Sequence, residues 1–174
     1  AIADSEEAIR LLQQAVTLAD AQASPFAARA HMVLGLAYRS RATLHLLQRD
    51  LAGAEKPLQQ AETALNQALA AYTPEDDPVY YAWTQVSLGT VTRLRAHLAA
   101  VRRDLASDAA ARTAANTEQI AWLRATIDHY DACLALRDRT ASNVLFQQRV
   151  LGCSCEPFAL EARQVLSNTQ EVEP

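Results

Sequence analysis

The side chains best suited to chemistry lie late in the chain: His129, Cys133, Cys153 and Cys155. His129 and Cys133 are four residues apart, which places them on one face of a helix, and the Cys-x-Cys pair comes from the segment that follows. Together they would supply the donors of a tetrahedral Cys3His zinc site. The spacing is not a standard one for zinc, and a buried free thiol is the plainer reading of Cys133. The expectation is therefore no metal and no cofactor. A disulfide from Cys133 to Cys153 or Cys155 is the third possibility, open to an exported protein, whereas three cysteines in a chain of this size favour a reducing compartment.

Catalysis finds little else to use. His31 and His45 are fourteen residues apart on one helix, about 21 Å at 1.5 Å per residue, too far to share a proton or an ion. No G-x-S-x-G, phosphate-cradling glycine loop or H-E-x-x-H is present. The acidic pairs Glu6-Glu7 and Asp76-Asp77 read as a helix start and a solvated loop. The chain is read as no enzyme.

Composition bounds the elements that would position these residues. The 174 residues are half hydrophobic with only four Gly and six Pro, a helical composition. The net charge of −4 is spread without a basic run, which disfavours nucleic acid as a partner. Lys56 is the only lysine among many arginines, and no apolar run approaches the ~20 residues of a membrane span. An opening without Met and a polar end suggest a piece of a longer protein, organised as one helical domain over 1–174.

The apolar spacing places helices in order. Ser5 can cap a first helix whose small apolar face is Ala8, Leu12, Ala15 and Ala19, ended at Pro25. A second helix runs from about Phe26 to Gln48, and Gly35 within it implies a neighbour too close for a side chain. Asp50 caps a third, on which Ala54, Leu58, Ala61, Leu65, Ala68 and Tyr72 step in fours and threes. After the polar TPEDDP stretch a fourth runs from about Val79 to Leu105. Ser107 or Asp108 caps a fifth, whose Ala-rich start could fray. Thr140 or Ser142 opens a sixth, and Ser154 a last segment, either separate or one helix kinked near Gly152 to Pro157.

Leu-Gly recurs at Leu34-Gly35, Leu88-Gly89 and Leu151-Gly152, each within a helical pattern. The intervening helices repeat one small, large, small spacing: Ala8, Leu12, Ala15; Ala54, Leu58, Ala61; Thr126, Tyr130, Cys133. At these residues the chain resembles the tetratricopeptide repeat (TPR) family. Its units pair a helix carrying Leu-Gly and, three residues on, Tyr with a helix carrying Ala, a large residue and Ala. Leu34-Gly35 and Tyr38 with Ala54, Leu58 and Ala61 match. In the second unit Thr92 replaces the Tyr and Thr126 the Ala. The glycines are 54 and 63 residues apart against a family unit of 34, so the units would be long-helix variants.

The resemblance implies an all-α stack of antiparallel hairpins, a TPR-like α-solenoid with a concave wall. It further implies that the wall is lined by Arg29, Met32, Leu36 and Arg39 from the first Gly-bearing helix and by Trp83, Val86, Thr90 and Arg93 from the second. Arginines around an apolar floor suit a protein or peptide bearing acidic groups. The alternative is a sensor domain whose groove takes a small ligand or signalling peptide. The opening helix lacks its mate, which leaves an uncapped end through which two copies could pair.

Overall fold

The computed structural model describes residues 2–170, including all side chains in that span except those of Ile2, Ala3, Leu145, Arg149, Leu151 and Cys153. The described residues are helices and connecting turns, without strands. No helix among them is long and apolar enough to cross a membrane. Two compact units divide the chain, one up to Ser87 and one from Leu88.

In the first unit, helix α1 (Ile2–Ala21) packs on α2 (Ala27–Leu47), and α2 on α3 (Leu51–Leu69). Both turns end the preceding helix with a residue in left-handed geometry, Ala23 (φ 46°) and Arg49 (φ 59°). At each, the next amide reaches back to an orphan carbonyl, Ser24 N–H to Ala19 O and Asp50 N–H to His45 O. The first helix thus stops by its own C-cap, ahead of Pro25. Asp50 caps α3, as its sequence position suggests, accepting from the Gly53 amide at 2.8 Å.

The core of the hairpin is Leu34, Tyr38 and Ala42 against Ala54, Leu58, Ala61, Leu65 and Ala68. Gly35 is buried where the helices meet: a Cβ there would lie 2.6 Å from Leu65 Cγ and 3.2 Å from Ala61 O. Tyr38 Oη accepts from Gln13 Nε2 at 2.6 Å, while Arg41 pairs with Glu6 and His31 with Asp20, so polar contacts tie α1 to α2.

Two expectations for α1 are corrected. Ser5 lies inside the helix rather than at its cap, since α1 begins at Ile2. The buried line is Ile9 and Val16, flanked by half-buried Leu12 and Ala19, whereas Ala8 and Ala15 face solvent. Two β-branched residues seven apart bury more apolar area than two alanines, and they decide which face turns inward.

The division between the units falls within α4 (Pro78–Leu105). In the second unit, the later part of α4 packs on α5 (Ala109–Leu134), which Asp108 caps through the Ala111 amide, so the Ala-rich start is helix. Gly89 faces the ring of Tyr130, where a Cβ would meet Cε1 at 2.9 Å. One step along, Thr126 Oγ1 donates to Thr92 Oγ1 at 2.9 Å, both fully packed. The two threonines that depart from the Tyr and Ala pattern therefore meet each other.

The last segment is continuous. A short turn, α6 (Val144–Phe146), runs into a π-helical stretch (Gln147–Cys155) and on into α7 (Glu156–Gln170). Asn143 is its cap, not Thr140 or Ser142, and Ser154 lies within the π stretch. Gly152 is exposed, and a Cβ added there would meet only Gln147 O, at an ordinary 3.5 Å. The third Leu-Gly is thus not a site of close helix approach.

Candidate partner-binding surface

The aromatic residues at the two ends of the TPEDDP loop come together in the first unit. Tyr72 and Tyr80 stack with centroids 5.4 Å apart and planes 18° from parallel. The loop is closed by reciprocal bonds: the Asp76 amide donates to Thr73 Oγ1 at 3.0 Å, and Thr73 Oγ1 donates to Asp76 Oδ2 at 2.9 Å. Burial, the neighbouring Tyr80 and Asp77 push the Tyr72 hydroxyl above its ordinary range, with Arg29 opposing them.

Arg29 lies over this stack, its guanidinium carbon 5.7 Å from the Tyr80 centroid. It is exposed, and no carboxylate among the described residues pairs with it. Trp83, three residues after Tyr80 and so on a neighbouring helical position, is 46% exposed. Leu36, Arg39 and Val86 are half-buried. Met32 is only 4% exposed, which places its side chain in the packing rather than on the surface.

The remaining two expected contact residues belong to the second unit. Thr90 Oγ1 is 3.3 Å from Tyr130 Oη. Arg93 pairs with Glu161 at 3.1 Å and lies 4.1 Å over the Phe158 ring, so its charge is already matched. Nearby, a cavity of about 200 Å³ opens between Ala96 and Ala100 of α4, Gln119 and Leu123 of α5, and Glu161 and Val165 of α7. Gln119 is 5% exposed, and its Oε1 accepts from Arg103 Nη1 at 2.9 Å.

Cys133 and Cys155 are joined by a disulfide, with Cα atoms 6.5 Å apart and both residues fully buried. That corrects the Cys3His alternative, because bridged sulfurs are not thiolate ligands. The side chain of Cys153 lies outside the described residues. His129 is half-buried, and burial holds its pKa below the usual 6.5 against the opposing pull of Asp128. Among the described residues no group of three or more His, Cys, Asp or Glu gathers to hold a metal.

By its spacing Tyr72 falls on the apolar line of the third helix, yet α3 ends at Leu69 with Tyr72 beyond it, and neither Tyr72 nor Tyr80 is read from the sequence as a contact residue. Their signal is there to be read: one tyrosine on either side of a six-residue polar loop, close enough in sequence for the turn to fold them together.

Comparison with protein-family models, curated proteins and solved structures finds no match.

Proposed function

We propose that the chain is a non-enzymatic binding module that holds a protein or peptide bearing acidic groups. The observation that carries this reading is Arg29, exposed and without a carboxylate partner among the described residues, lying over stacked tyrosines on the same unit as a half-exposed Trp83. Arg, Tyr and Trp are the residue types that dominate binding energy at interfaces, because each combines a large apolar body with a polar or charged tip. An arginine supported by rings loses less freedom on meeting a carboxylate than one waving in solvent.

The TPR-like reading agrees with this placement, since it assigns partner contact to the Gly-bearing helices α2 and α4. Both glycines sit where a neighbouring helix leaves no room for a side chain, which supports hairpins of the kind that family uses. The sensor alternative needs a pocket of ~300 Å³ or more. Among the described residues of the second unit, the cavity of about 200 Å³ falls short of that, and the larger hollow of about 490 Å³ beside Arg102, Leu105, Ala115 and Glu118 lies open to solvent rather than closed around a ligand.

The test is an array of short peptides of graded acidity, probed with the wild-type chain and with Arg29→Glu. The reading expects capture to rise with acidic content and to reverse or vanish in the variant. Capture independent of charge would refute it.

A further inference from the structure

Helix α1 carries a second apolar line that nothing in its unit covers. Ala8, Leu11, Ala15 and Leu18 follow one another at steps of three, four and three residues, and all four are exposed, Leu11 at 51% and Leu18 at 58%. The line lies beside the face that Ile9 and Val16 bury against α2. Two large apolar side chains one above the other on a helix, both more than half in water, make a contiguous stripe rather than scattered surface residues.

The stripe is complementary to itself when reversed. Laid antiparallel on a second α1 about a twofold axis near Gln13, Leu11 of one copy meets Ala15 of the other, and Ala8 meets Leu18. Every large residue then faces a small one, which lets the two backbones approach closely. The same register sets Asp4 opposite Gln22, a carboxylate against an amide donor, at each end of the stripe. Glu7, on the flank, is already neutralised by Arg10 at 2.6 Å.

Charge selects this orientation over the parallel one. In parallel register Asp4 would meet Asp4, leucine would meet leucine and alanine alanine. The antiparallel arrangement separates the acidic starts of the two helices and sets each positive helix end beside a negative one.

We propose that α1 is a homodimerisation helix, and that the occupant of its exposed stripe is the α1 of a second copy. The claim stands apart from the peptide-binding reading, which concerns other residues of the unit. An interface centred on one helix from each copy is small, so the dimer is weak and in exchange.

Sedimentation equilibrium across roughly 5 to 500 µM, a range suited to a small interface, tests it on the intact chain. The mass should rise from 19.0 kDa toward twice that value with concentration. Leu18→Arg should hold the chain at monomer mass, with circular dichroism unchanged because Leu18 is exposed. Leu11→Ala and Ala15→Leu should each weaken association by about tenfold, one by leaving a gap and the other by crowding. The double variant should recover it, since it exchanges large and small within the same pair. A wild-type chain that stays monomeric, a dimer indifferent to Leu18→Arg, or a double variant no better than either single one would overturn the proposal.

Discussion

An added Cβ at Gly35 would lie 2.6 Å from Leu65 Cγ and 2.9 Å from Leu65 Cδ2, with Ala61 O behind them at 3.2 Å. Leu65 is fully buried and has little space into which to retreat. Alanine is the better helix former, yet crowding a packed interior costs more than the gain in propensity. Gly35→Ala should therefore destabilise the chain by about 1–3 kcal/mol, read as a lower urea midpoint at unchanged slope. The opposite change applies at the turn after α2. Arg49 holds φ 59°, which costs any residue with a Cβ and costs glycine nothing. Arg49→Gly should raise the thermal midpoint, by an amount equivalent to about 1 kcal/mol. Much at this scale is legible beforehand. A glycine amid a helical pattern announces a close neighbour, and Asp50 announces a cap. Ala23 and Arg49 carry no such mark, because left-handed geometry at a non-glycine residue is imposed by the chain folding back rather than preferred by the residue.

At the scale of elements, the helices from Ala27 to Leu134 follow their apolar spacing closely, since each repeats its buried line several times. Helix α1 is harder to read because it carries two apolar lines, and only packing decides which one turns inward. The final segment is harder still. Its register is set by a π stretch and by the Cys133–Cys155 bridge, neither of which leaves a periodic trace. The bridge spans 22 residues, and closing a loop of that size restricts the unfolded chain by about 3 kcal/mol. Cys133→Ser should thus lower stability by that order, and reductant should have the same effect on the wild type and none on the variant. His129 on α5 gives the chain a pH dependence. Its folded pKa lies below 6.5, so the unfolded state takes up the proton first. Stability is then full above 6.5 and declines as pH falls below that value, until the folded state is protonated too. The difference in thermal midpoint between pH 7.5 and pH 5.5 should shrink in His129→Gln.

For the molecule as a whole, the all-helical class is plain from composition and spacing, whereas the functional surface is only partly so. The expected contact residues come from resemblance to a repeat family, and burial sorts them. Met32 is withdrawn into the packing, Arg93 is held by Glu161, and Arg29 and Trp83 remain available on one unit. The tyrosine stack beneath Arg29 depends on a loop closure between Thr73 and Asp76 that no helical periodicity encodes. The binding reading rests on this cluster, and Trp83 is its natural reporter. In a Trp122→Phe background Trp83 is the only tryptophan, and its emission can be followed as the best acidic peptide from the array is added. The account predicts a saturable change that Arg29→Glu weakens at least about tenfold, a loss of roughly 1.4 kcal/mol or more. Peptide binding that leaves Trp83 emission unaltered, with the same affinity in Arg29→Glu, would contradict it.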